Sequence, residues 1–183
     1  MNVEIKYISY LYPKTVVAMC LLISCIFFSC NQSEQTHIDR LERQYIDSLV
    51  RSQRGIDSLE KIRDSFIAEN NPYGLMVTCR VLGQCYRSDN RFIEAIKCLK
   101  LGMEQALLLS DTLELIQALN NLGTNYRRLG ILNDASTYHY RALSFCETLS
   151  NKTAKFAQKQ RVISLNGIGN IYLTLDNRQL ADS

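Results

Sequence analysis

From Ile38 onward, apolar side chains recur every three or four positions, the period of an amphipathic helix. Ile38, Leu41, Tyr45 and Leu49 form one run and Ile56, Leu59, Ile62 and Phe66 a second, with Gly55 between them. Further along, one arrangement returns three times: LGQCYRSDNRFIEA from Leu82, LGTNYRRLGILNDA from Leu122 and IGNIYLTLDNRQLA from Ile168. In each, a glycine precedes a tyrosine by three positions and an alanine follows that tyrosine by nine: Gly83, Tyr86 and Ala95; Gly123, Tyr126 and Ala135; Gly169, Tyr172 and Ala181. Leu82, Gly83 and Tyr86 share one helical face, and small side chains at the glycine and alanine let a second backbone approach. Between tyrosine and alanine the chain must turn. Asn90, Gly130 and the pair Asp176-Asn177 supply residues that tolerate a left-handed backbone there. Each segment is therefore predicted to be a helical hairpin. Helices are expected near 72–88, 91–109, 111–129, 132–150 and 153–175, with Pro72 in a first turn after Asn70-Asn71 and a capping box from Asp111 to Glu114.

These residues resemble the tetratricopeptide repeat, whose signature is Leu-Gly-x-x-Tyr on a first helix and Ala with a later Ala on a second. The middle unit, ALNNLGTNYRRLGILNDASTYHYRAL, is closest, with Leu122, Gly123, Tyr126, Gly130, Ala135 and Ala142 on signature positions. His139 replaces the usual aromatic of the second helix, while Leu99 and Gly102 stand in the first unit where an aromatic and Ala are expected. The glycine-to-glycine steps are 40 and 46 residues, longer than the roughly 34 of the standard repeat. The resemblance implies an all-α fold, a right-handed superhelical solenoid of antiparallel hairpins over about 72–183. Its units are expected at about 72–110, 111–152 and an incomplete 153–183. Residues 30–70 are expected to form a tether and a degenerate hairpin capping the first clear repeat. The last unit stops within its second helix, leaving Ile168, Ile171, Tyr172 and Leu175 to be covered by further repeats of a longer chain or by a partner chain.

The first 29 residues stand apart. Thr15 to Ser29 is an uncharged run of fifteen, led by Lys6 and Lys14. That is short for a permanent span, which needs about 20 residues, and suits the apolar region of a secretory signal. The run ends at Cys30, after the small residue Ser29 and before Asn31. This resembles a bacterial lipoprotein signal, in which such a cysteine is acylated and becomes the new N-terminus. Cys30 is the expected attachment point and Cys25 the alternative; an uncleaved anchor is the third possibility. All three place the remaining chain outside the cytoplasmic membrane, on the periplasmic side of a bacterial envelope.

Composition narrows the chemistry. Two prolines and eight glycines leave too few turns for an all-β fold. A formal charge of +3 with both signs interspersed makes a nucleic-acid partner unexpected. His37 and His139 are the two histidines and no Cys-x-x-Cys occurs, so no metal or redox motif is recognised. His139 falls on an inward-facing position, as do Tyr86, Tyr126 and Tyr172. Cys79, Cys85, Cys98 and Cys146 are expected as buried free thiols. Neither a cofactor nor catalytic residues are expected.

The resemblance also implies a concave surface lined by first helices. The matching positions here are Arg80, Gln84 and Arg87; Asn120, Asn121, Thr124, Arg127 and Arg128; and Asn166, Asn170 and Thr174. The set contains no acid. Arginine recognises carboxylates bidentately and asparagine can hold both N–H and C=O of an extended backbone. A peptide with acidic groups or a free C-terminus is the expected ligand of a membrane-tethered scaffold resembling the sensory front part of longer bacterial regulators. The alternative is a glycan-capture lipoprotein of a nutrient-uptake system, although sugar sites stack rings on aromatics and this predicted groove has none.

Overall fold

The computed structural model describes residues 39–53, 55–149 and 153–181, the last five as backbone only. The apolar segment 1–29, with Cys25 and Cys30, lies outside the described residues, as do His37 and Ile38. The chain divides into two units, Met1–Tyr45 and Ile46–Ser183. Of the first, the described residues 39–45 are helical.

Among the described residues there are seven helices and no strand. Residues 39–52 are α1; then follow α2 (Ile56–Ala68), α3 (Pro72–Ser88), α4 (Phe92–Leu108), α5 (Thr112–Arg128), α6 (Leu132–Glu147) and α7 (Ala154–Ala181). The helices α3 to α6 begin 20 residues apart because each connection repeats one geometry. Asn70, Asn90, Ser110 and Gly130 adopt positive φ (51°, 59°, 54° and 74°). The next backbone N–H reaches back to the carbonyls of Phe66, Tyr86, Ala106 and Tyr126, at 3.0, 2.8, 2.9 and 3.0 Å. This double closure of a helix C-terminus satisfies carbonyls that would otherwise be orphaned. Caps then start two of the helices: Asn71 Oδ1 accepts from Gly74 N–H and Asp111 Oδ1 from Glu114 N–H. The expected box at Asp111 is half formed, since the Glu114 carboxylate turns instead to Arg80 at 3.0 Å.

Within the second unit, α3 packs on α4, α5 on α6, and each helix on the next; α3 also touches α5, and α5 touches α7. Glycines mark the crossings, with a different occupant from the one anticipated. A Cβ on Gly83 would stand 2.5 Å from Leu99 Cγ, and one on Gly123 would stand 2.8 Å from the His139 ring. Side-chain knobs of the second helix, not its backbone, fill those two notches. Leu99 and His139 each lie sixteen residues after their glycine, so the histidine occupies the slot that a leucine fills in the first hairpin. Ala95, Ala135 and Ala142 are fully buried, as close packing requires.

The third unit departs from expectation. No turn forms at Asp176-Asn177; α7 continues unbroken for 28 residues, so Ala181 lies on the same helix as Gly169. A Cβ on Gly169 would meet nothing within 4 Å, whereas one on Gly167 would fall 2.3 Å from His139 Nε2. The buried face of α7 is Ala157, Gln160, Ser164, Gly167, Ile168 and Ile171. Ile168 and Ile171 are thus covered, while Tyr172 is 60% exposed, and Leu175 is exposed too. Gly169 and Tyr172 lie on the face of α7 equivalent to the one by which Gly123 and Tyr126 of α5 meet α6, and among the described residues no further helix packs on that face.

Candidate functional site

The first helices α3 and α5 are joined by two polar contacts on one face. Arg80 Nε on α3 lies 3.0 Å from Glu114 Oε2 on α5, both side chains less than a third exposed. One helix turn pair further, Arg87 Nη1 donates to Asn121 Oδ1 at 3.1 Å. Burial raises the Glu114 carboxyl above its ordinary range, against the opposing pull of the Arg80 guanidinium. Gln117 Nε2 also donates to Glu114 at 3.2 Å. The groove therefore contains an acid after all, and it neutralises Arg80, which was expected to be available for a ligand.

Arg87, Arg127 and Arg128 are differently placed. Burial and the Arg128 charge depress the guanidinium pKa of both Arg87 and Arg127. Among the described residues no ion pair engages any of the three. Three like charges gathered at the ends of α3 and α5 attract a carboxylate, which would relieve their mutual repulsion. Gln84 is exposed, and Asn121 and Thr124 are half-buried beside them. The Thr124 hydroxyl is turned back onto the Asn120 carbonyl at 2.9 Å.

Asn120 does not belong to this surface. It is 3% exposed, and its Nδ2 donates to the Gln160 carbonyl and to Gln160 Oε1 at 3.2 and 3.0 Å. Its Oδ1 faces His139 Nδ1 at 3.0 Å and Ser164 Oγ at 2.8 Å. The expected ligand contact is instead a buried polar junction holding α5, α6 and α7 together. Gln160, Ser164 and Gly167 went unnoticed because the contact falls between hairpins: Gln160 stands nine residues before Gly169 as Glu114 stands nine before Gly123, and it meets Asn120 as Glu114 meets Arg80.

Asn166 and Asn170 are exposed on α7. They line an open depression with Leu165, Gly169, Tyr172, Leu173 and Asp176. Thr174 donates to the Asn170 carbonyl at 2.8 Å. The Tyr172 hydroxyl lies 3.4 Å from that of Tyr140 on α6, so exposed aromatics are present on this face.

No group of three or more His, Cys, Asp or Glu among the described residues is placed to hold a metal ion. No described helix is long and apolar enough to cross a membrane. Searches of curated proteins and of solved structures find no match. The family model described as tetratricopeptide repeat matches residues 55–148, which covers α2 to α6 and stops before α7. Such repeats are in general scaffolds for protein–protein interaction without chemistry of their own. With half of its length matched and its hairpins built on the signature glycines, this chain belongs to the tetratricopeptide repeat family.

Proposed function

We propose that the α3–α5 face binds an extended peptide or protein segment carrying acidic groups or a free C-terminus. The observation that carries this reading is the cluster of Arg87, Arg127 and Arg128, in which burial and the Arg128 charge lower the Arg87 and Arg127 pKa values and no ion pair with a carboxylate forms among the described residues. Asn121, Gln84 and Thr124 add neutral groups suited to a peptide backbone. A peptide array tests it. Acidic sequences are expected to bind, to weaken steeply with salt, and to be lost in the Arg127→Ala, Arg128→Ala double variant. Equal binding of neutral and acidic peptides at all salt concentrations would overturn the reading.

Tethering at the membrane, facing the periplasm, belongs to the same proposal. Its support is the fifteen-residue apolar run from Thr15 that ends at Cys30 and Asn31. Labelling with a palmitate analogue is expected to vanish in Cys30→Ser; loss in Cys25→Ser instead would move the anchor. A place at the sensory front of a longer regulator follows from the resemblance. Further repeats or a partner chain would then cover Leu165, Tyr172 and Leu173, each more than half exposed on α7.

One observation favours glycan capture as a second reading. Tyr140 and Tyr172 stand exposed beside each other, and Tyr172 shares its depression with Asn166, Asn170 and Asp176. Aromatic faces with amide and carboxylate neighbours suit a sugar ring. Binding to an oligosaccharide panel that Tyr172→Ala abolishes and Arg127→Ala spares would support it over the peptide.

A further inference from the structure

The face of α7 centred on Gly169 has the shape of a helix-packing surface. In the two hairpins before it, the equivalent glycine notch holds a side chain from the helix that follows, Leu99 at Gly83 and His139 at Gly123. At Gly169 an added Cβ would meet nothing within 4 Å. Leu165, Tyr172 and Leu173 around it are 51%, 60% and 63% exposed. Apolar surface gathered in this way marks an interaction site.

Two features of the face identify what fits it. One is its symmetry about the glycine: Leu165 and Leu173 stand four residues before and after Gly169, and Asn166 and Tyr172 three before and after. A second α7 laid antiparallel across the first, glycine over glycine, sets each Leu165 on the partner's Leu173 and each Asn166 on the partner's Tyr172. The other feature is charge. Lys159 and Arg161 are exposed in the first half of the helix and Asp176 in the second, and among the described residues no ion pair engages any of them. The antiparallel arrangement brings the partner's Asp176 between Lys159 and Arg161, whereas a parallel one sets like charges together. Antiparallel helices also oppose their macrodipoles favourably.

We propose that α7 is a homodimer interface, two copies of this chain crossing antiparallel at Gly169. The inference rests on the reading above that a partner chain covers Leu165, Tyr172 and Leu173, and gives that partner an identity. One patch serves both copies, as a closed two-fold contact requires. The bare Gly169 lets the backbones approach, and the leucines close over the crossing from both sides. A single pair of helices buries less than the about 800 Å² per partner of a standard interface, so the dimer is a weak one.

Sedimentation of the full chain over a micromolar concentration series is expected to show monomer and dimer in exchange. Asp176→Lys, and separately the Lys159→Glu, Arg161→Glu double variant, should each weaken the dimer by about tenfold. An equimolar mixture of the two should recover it, since each supplies the charge the other needs. All three positions are exposed, and an unchanged thermal transition at low concentration checks that the fold survives. Mild oxidation followed by peptide mapping tests the geometry. Gly169→Cys should link to its own copy, whereas Val162→Cys, held about 20 Å from its counterpart by the rise of the helix, should not. Association that the charge variants leave unchanged, or self-linking of Val162→Cys, would overturn the proposal while leaving a partner chain in place. Oligosaccharide binding at Tyr172 by a chain that stays monomeric would overturn both.

Discussion

His139 Nδ1 lies 3.0 Å from Asn120 Oδ1 in a site where both side chains are buried. The Asn120 amide nitrogen is committed to Gln160, so its oxygen is the acceptor and the imidazole proton sits on Nδ1. His139 Nε2 is left buried with no hydrogen-bond partner among the described residues. A second proton there would have to be buried as charge, near Arg127.

That geometry sets a pH dependence. Burial, with a contribution from Arg127, lowers the His139 pKa from 6.5 to about 4. An unfolded chain takes up the proton below 6.5, whereas the folded chain resists until about 4. Stability is therefore full above pH 6.5 and is lost as pH falls through this window, by about 3 kcal/mol. Glu114, whose pKa burial raises, works the other way near its own titration. Urea midpoints measured at pH 7 and pH 4.5 should show a loss that His139→Phe largely removes.

Asn120→Ala would leave Gln160, Ser164 and His139 short of partners at once. A loss of about 3 kcal/mol is expected, since each unsatisfied buried group costs about 1–3 kcal/mol. Thermal unfolding checks it. A variant within 0.5 kcal/mol of wild type, roughly the scatter of surface changes, would mean that the junction is not formed.

Two glycines on one helix should respond with opposite signs. Gly167→Ala drives a methyl into the His139 ring and should destabilise by about 1–3 kcal/mol. Gly169→Ala enters open space and should stabilise by about 1 kcal/mol through helix propensity. Chemical denaturation of both variants tests which face of α7 is packed; reversed signs would mean that the Gly169 face is covered and the Gly167 face is open.

Much of the hairpin fold was legible because each signal was local. Asn90 and Gly130 stop helices by backbone conformation, Pro72 and Asp111 start them, and Leu82, Gly83 and Tyr86 repeat the spacing of Leu122, Gly123 and Tyr126. The third unit misled because its tyrosine and alanine matched in spacing while nothing local forced a turn: no glycine follows Tyr172, and Asp176-Asn177 is tolerated within a helix. The site was harder. Which face of α5 carries Asn120 depends on Gln160 and Ser164, forty residues on, and the pairing of Arg80 with Glu114 depends on how α3 meets α5. Periodicity along one helix holds neither fact.

Ser110 offers a check on the connections. It adopts the left-handed backbone that Gly130 adopts one connection later, at a cost glycine avoids. Ser110→Gly should raise stability by about 0.5–1 kcal/mol, and Gly130→Ala should lower it by a similar amount. Differential scanning calorimetry of the pair would show it; a neutral Gly130→Ala would contradict the geometry.

The binding claim is tested most directly by locating the ligand. An acidic peptide carrying a photoreactive group, irradiated with the full chain and mapped by mass spectrometry, should attach to α3 and α5 around Gln84, Asn121 and Thr124. Attachment confined to the outer helices α4 and α6, or to Tyr172 and Leu173 on α7, would contradict it.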